Sequence, residues 1–122
     1  MTSGRDRLDY VADILDSIEK IEEFASGMSF EDFAADDKTV YAVIRALEII
    51  GEAAKRIPEA MREQYPSVPW WEMAATRDKL IHGYIGVDLQ VIWQTLEADL
   101  PPLKARMVRI LSEATGAESP TA

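Results

Sequence analysis

The sequence contains no cysteine and only one histidine, His82. The missing cysteines exclude disulfides and thiolate metal sites, and a lone histidine argues against a zinc site, so we expect neither metal nor cofactor. No glycine-rich phosphate loop, internal repeat or alternating strand pattern occurs, and no apolar run approaches the roughly 18 residues of a membrane span. The N-terminus also lacks the apolar stretch of a signal peptide. We therefore expect a cytoplasmic protein without membrane segments.

The composition is that of a globular protein, with 48% hydrophobic and 29% charged residues in a chain of 122. This length fits one domain, which we place at residues 1–115, followed by a disordered tail at 116–122. The net charge of −9 argues against a non-specific nucleic-acid binder. However, residues 1–37 hold 11 acidic and 3 basic residues, whereas residues 38–122 hold 11 and 10. The net charge therefore does not exclude a local basic cleft in the second part of the chain.

The apolar residues recur at helical spacing, which predicts an all-α, up-and-down bundle of four to five helices. We place the first helix at about 6–25, a turn at MSFEDF and a second helix from Asp36 or Asp37 to Pro58. A short helix at EAMREQY precedes a third, which runs from about 69 to about 83. Asp88 should cap a fourth, which the two prolines 101 and 102 should break or kink before a last segment. The predicted inward stripe of the second helix is Val40, Val43, Ile44, Leu47, Ile50, Ala54 and Ile57.

The third helix carries the most unusual residues, in the segment RDKLIHGY at 77–84. Arg77 falls within an apolar stripe on this helix, where a guanidinium is costly unless it is paired or the stripe borders a cleft or a partner chain. It either forms a structural ion pair with Glu48 or Glu52, or belongs to a functional site.

His82 lies about 140° around an ideal helix from Arg77, so the two side chains can converge only because arginine is long and only if the helix unwinds before Gly83. Asp78 lies one turn before His82 on the same side, where it could fix one imidazole tautomer and favour the protonated form. The alternative is a surface histidine stabilised by the helix dipole. Tyr84, in HGYIG, lies either on an open loop between two glycines or in the core.

An arginine and a histidine together suit metal-free cleavage of a phosphodiester. Imidazole transfers protons near neutral pH, which contributes about 10²–10⁴-fold, and arginine stabilises charge on the phosphoryl oxygens. Cleavage of RNA through its own 2′-hydroxyl needs both a base and an acid, but one chain supplies one histidine. A symmetric dimer that brings two RDKLIHGY segments to one cleft would supply both, so a nuclease of this kind should be a homodimer.

The spacing Arg77, four residues, His82, one residue, Tyr84 resembles the R-x4-H-x-Y signature of HepT-like toxins of the HEPN superfamily. RALEIIGEAAKRIP, the VPW stretch and HGYIGVDLQVIWQTLEADLPPLK extend the resemblance over about residues 6–112. The resemblance implies a HEPN-like helical homodimer that acts as a metal-independent endoribonuclease, the toxin of a type VII toxin–antitoxin pair. Its partners would be an RNA substrate and a minimal nucleotidyltransferase antitoxin.

By motif position, the resemblance makes Arg77 and His82 the catalytic pair, puts Asp78 in the polar position after the arginine, and makes Tyr84 the residue that the antitoxin adenylylates. Basic residues that could line the cleft are Lys79, Arg45, Lys55 and Arg56, although each could equally be a solvated surface charge. The rival hypothesis is a catalytically inactive helical binding partner of a nucleotidyltransferase, which the net negative charge favours slightly.

Overall fold

The computed structural model describes residues 5–82 and 88–116, with backbone only for 77–82. Within these ranges the chain is helical and contains no strand, which confirms the predicted all-α class. Seven α-helices occur there, four of them longer than two turns. They are α1 (Arg7–Phe24), α2 (Phe30–Ala34), α3 (Asp37–Lys55), α4 (Glu59–Gln64), α5 (Trp70–His82), α6 (Leu89–Gln94) and α7 (Leu100–Thr115).

Aspartate side chains begin three of the helices, because a carboxylate can accept the unpaired backbone N–H groups of a first turn. Asp6 accepts from the backbone N of Leu8 at 2.7 Å and forms a reciprocal capping box with Asp9. Asp36 accepts from the backbone N of Thr39 at 3.2 Å. Asp88 caps α6, as the sequence predicts.

The MSFEDF segment was predicted to be a turn, and this prediction is wrong: α2 begins within it, at Phe30. Ser29 and Asp32 form a capping box in which each side chain accepts from the other's backbone N–H, at 3.1 Å in both directions. Phe33 is fully buried, with its ring centroid 5.2 Å from that of Trp93 in α6. The capping box and this one buried aromatic side chain stabilise a helix too short to show periodicity.

Pro101 and Pro102 were predicted to break or kink the helix, and the break does not occur. The chain remains helical from α6 into α7 through a π-helical turn at Thr95–Asp99, and both prolines lie in the first turn of α7. Proline has no N–H to donate to the carbonyl one α-turn earlier. The wider π turn shifts the hydrogen-bond register just before the prolines, and the backbone N–H of Leu100 donates to the carbonyl of Thr95.

The core is built around α3, which packs against α1 and α5, while α7 packs against α1. Every residue of the predicted stripe is buried, including Ile57 just beyond the end of α3. The buried apolar residues of the two other helices are Val11, Ile14, Ile18 and Ile21 of α1 and Leu100, Leu103, Met107 and Ile110 of α7. The fully buried large side chains are Phe33, Ile14, Ile18, Ile21, Met107, Ile110, Val11 and Val43. Because α3 contributes to both contacts, it fixes where α5 and its motif lie.

The last helix ends at Thr115, where Gly116 adopts the left-handed conformation with φ of 75° that favours glycine at a helix C-terminus. The rest of the predicted tail, 117–122, lies outside the described residues. No helix in the described ranges has the length and apolarity needed to cross a bilayer.

Candidate functional site

Helix α5 carries the motif, and its first half is held in the core. Trp70 and Met73 are 4% and 8% exposed, and the indole Nε1 of Trp70 donates to the carbonyl of Tyr65 at 3.1 Å. These contacts anchor the start of α5 on the side that packs against α3. Position 77 lies about two turns after position 70, so the two backbone positions lie at nearly the same angle around the helix.

The α-helix persists through His82, which sets the spacing of the motif positions. Positions 77 and 82 are therefore about 140° and about 7.5 Å apart on one helix. Asp78 lies one turn before His82 on the same face. The side chains of these three residues, like the whole of Tyr84, lie outside the described residues.

The glutamates suggested as partners of Arg77 already pair with arginines along α3. Arg45 lies 3.4 Å from Glu48, and Arg56 lies 3.5 Å from Glu52. Two of the predicted RNA-binding cations are thus partly neutralised by their own helix. Lys55, in the last turn of α3, is exposed. Lys79 belongs to the part of α5 without described side chains.

A groove of about 450 Å³ begins at Thr76, the residue directly before Arg77. It lies between α5 and the start of α7, and its floor includes Leu47 and Ile50 of α3 and Leu103 of α7. Its charged residues are the acidic Glu72 and Asp99 and the basic Arg106. This excess of negative charge does not favour a phosphate-rich ligand. Apolar side chains from three helices make the groove suitable for another protein surface.

On the other side of α5, Trp71 is 73% exposed. The guanidinium carbon of Arg62 in α4 lies 4.6 Å from the centre of its ring, a cation–π contact. This pair was not predicted from the sequence. The residues are nine positions apart and belong to different helices, so no local spacing rule connects them. The only sequence signal is the Trp-Trp doublet. Adjacent residues of an α-helix point in different directions, so only one of the two rings can be buried on the face that packs on the core.

Among the described residues, the acidic groups with clearly shifted pKa values are those of Tyr65 and Glu113. They lie away from the motif, where α7 meets the loop after α4. Glu113 accepts from the Tyr65 hydroxyl at 2.9 Å and from Arg109 Nε at 2.9 Å. The bond from Arg109 and, to a lesser extent, the bond from Tyr65 lower the pKa of Glu113. Partial burial and the bond to Glu113 raise the pKa of Tyr65. The cluster is best explained as a structural link between two helical segments.

The lowered pKa of Glu113 predicts a dependence of stability on pH. The ionised carboxylate stabilises the fold above its ordinary pKa of 4.5, and this contribution is lost as the pH falls through the lowered value. We expect Glu113→Gln to lower the thermal midpoint at pH 7, by an amount that shrinks towards zero in acid. Thermal unfolding across pH 2–7 measures the difference, with exposed Glu97→Gln as control. A gap that is constant across this range would contradict the assignment.

No group of three or more histidine or acidic residues in the described ranges could hold a metal ion. A family model described as ribonuclease HepT-like matches residues 14–110. The chain is 53% identical over 106 residues to "Probable ribonuclease HepT" of Thermococcus cleftensis, covering 87% of this chain and 96% of that protein.

Two further relatives, both provisionally named RNases, are similar over most of their length. One, from Methanocaldococcus jannaschii, is 41% identical over 92% of this chain and 93% of its own. The other, from Caldanaerobacter subterraneus subsp. tengcongensis, is 44% identical over 85% of this chain and 93% of its own. No solved structure matches this chain at a comparable level of significance.

Proposed function

Because this chain belongs to the HepT-like ribonuclease family, we propose that it is a metal-independent endoribonuclease. It acts as the toxin of a type VII toxin–antitoxin pair, with Arg77 and His82 as its catalytic pair. The observation that carries the proposal is the family match over residues 14–110, which includes the complete Arg77, His82, Tyr84 signature. The names of the relatives, all ribonucleases, support the same activity.

In the proposed reaction a base removes the proton of an RNA 2′-hydroxyl, and the 2′-oxygen attacks the adjacent phosphorus. The bond from phosphorus to the 5′-oxygen breaks, and an acid protonates that oxygen. A 2′,3′-cyclic phosphate and a 5′-hydroxyl result. His82 transfers protons, Arg77 stabilises the charge on the phosphoryl oxygens, and Asp78 orients the imidazole.

A homodimer is part of the proposal because one chain contains one histidine for two proton transfers. The uninterrupted helix through His82 strengthens this argument, since positions 77 and 82 diverge by about 140° within one copy. Residues from two copies can meet across a shared cleft. The apolar groove that begins at Thr76 gives a protein surface beside the motif on which a second copy could pack.

The distribution of charge is compatible with an RNA substrate despite the net charge of −9. The acidic excess lies in residues 1–37, and α1, which carries half of it, packs on α3 and α7. The motif lies on α5, which packs on α3. Lys79 and Lys55 are the proposed phosphate contacts, and Arg45 and Arg56 could join them by exchanging their glutamate partners for phosphate.

Tyr84 is the proposed point of control, where a nucleotidyltransferase antitoxin attaches AMP to the phenol. An adenylate two residues from His82 would occupy the cleft and repel phosphate. The second candidate function, an inactive binding partner of the nucleotidyltransferase, is favoured only by the net negative charge. It predicts the same complex but no RNA cleavage.

Expression in a host that lacks the nucleotidyltransferase tests the toxin and its control together. We expect wild type to arrest growth, co-expression of the nucleotidyltransferase to relieve the arrest, and intact mass to show one added adenylate. Tyr84→Phe should escape the modification, so that a Tyr84→Phe protein that still cleaves RNA arrests growth even with the partner present. Normal growth on expression of soluble, unmodified wild type would favour the inactive binding partner.

A further inference from the structure

Trp71 is the largest exposed aromatic side chain among the described residues, and it is more exposed than any other large hydrophobic residue there. Its neighbour Trp70 is 4% exposed and supplies the core contact of this turn, so the fold does not need a second indole here. Leaving such a ring in water forfeits the favourable burial of a large apolar surface.

Arg62 holds a fixed position beside this ring. Its Nη2 donates to the carbonyls of Ala54 at 3.3 Å and Lys55 at 3.1 Å, the last carbonyls of α3. These bonds place the guanidinium at the negative end of the helix dipole while it stacks on Trp71 at 4.6 Å. The indole is therefore supported by a cation, although most of its surface remains open to solvent.

Trp71 shares a face of α5 with two motif positions. Positions 71, 75, 78 and 82 fall within about 60° of one another around the helix, and Trp71 and Ala75 are both exposed. Position 82 lies eleven residues beyond Trp71, a rise of about 16 Å. An extended RNA strand of a few nucleotides that follows this face would lead from His82 to the indole.

We propose that Trp71, supported by Arg62, is a stacking subsite for a base of single-stranded RNA, a few nucleotides from the bond that is cleaved. The inference rests on the proposed ribonuclease function and adds a binding residue outside the motif. Aromatic stacking accepts any base, and adjacent cations attract the phosphate backbone. The guanidinium of Arg62 provides that positive charge next to the ring, which favours RNA over an apolar protein surface as the occupant.

The test compares wild type, Trp71→Leu and a matched control, Phe24→Leu, which also replaces an exposed aromatic residue, on α1. Each protein cleaves a dinucleotide and a single-stranded oligonucleotide long enough to reach from His82 to Trp71. We expect Trp71→Leu to raise KM for the oligonucleotide about 5- to 150-fold, from the typical strength of base–aromatic stacking. Its kcat, its cleavage of the dinucleotide and both activities of the control should match wild type.

Equal effects of Trp71→Leu on the two substrates, or none on either, would overturn the subsite. So would a variant that loses self-association in sedimentation while keeping its KM for RNA, because the ring would then be a protein contact. Fluorescence anisotropy of a labelled oligonucleotide separates this proposal from the nuclease function. If wild type does not cleave RNA, a weaker Kd for Trp71→Leu alone supports the subsite, and equal Kd values refute it.

Discussion

His82→Ala is expected to slow RNA cleavage by about 10²–10⁴-fold, the usual contribution of a proton-transferring side chain. His82 is the only imidazole in the chain, so no second histidine can replace it. The loss should exceed the effect of any surface cation, because a phosphate contact changes binding whereas the imidazole acts on the reacting bond. Rates with saturating single-stranded RNA measure it.

Two controls make the His82 result interpretable. Far-ultraviolet circular dichroism and sedimentation should show the same helicity and the same oligomer for His82→Ala as for wild type, because position 82 is the last residue of α5. Val91→Ala, at an exposed residue of α6, should cleave RNA at the wild-type rate. A folded His82→Ala protein that degrades RNA as fast as wild type would rule out the proposed catalytic role.

Phe33→Ala should lower the free energy of unfolding by about 3–5 kcal/mol, the range for a buried phenylalanine reduced to alanine. The Phe33 side chain is fully buried and packs on Trp93, so alanine would leave a cavity between α2 and α6. This is a large fraction of the total stability of a typical domain, about 5–15 kcal/mol. Denaturant unfolding at one fixed protein concentration measures the change.

Phe30→Ala is the matched control, since Phe30 lies on the same short helix and also contacts Trp93, with ring centroids 6.3 Å apart. Phe30 is only partly buried, so its truncation opens the site to water instead of leaving a closed cavity, and the loss should be smaller. Equal losses for the two variants would mean that Phe33 does not anchor α2 as described.

The long helices could be predicted because their burial follows a simple period. On α3 every predicted inward position is buried. A helix packed between two neighbours needs a continuous apolar stripe, and this stripe appears in the sequence as apolar residues at helical spacing. Asp6, Asp36 and Asp88 mark helix starts for an equally local reason: a carboxylate reaches the free N–H groups two or three residues ahead.

Features that depend on distant contacts could not be predicted in this way. Helix α2 is shorter than two turns, and its burial depends on Trp93, some sixty positions away. The π turn reflects how a helix already packed at both ends accommodates Pro101. The contact between Arg62 and Trp71 depends on how α4 and α5 pack. In the candidate site, the motif spacing and its helix were predictable, whereas the flanking groove and the open indole were not.

The most direct test of the proposed ribonuclease is RNA cleavage by purified wild type in EDTA, with His82→Ala alongside and intact mass confirming an unmodified Tyr84. We expect wild type to cleave RNA without divalent metal, leaving cyclic phosphate at the new 3′ ends, and we expect the variant to lose this cleavage. Absence of cleavage by folded, unmodified wild type, or cleavage that requires a metal ion, would contradict the proposed activity.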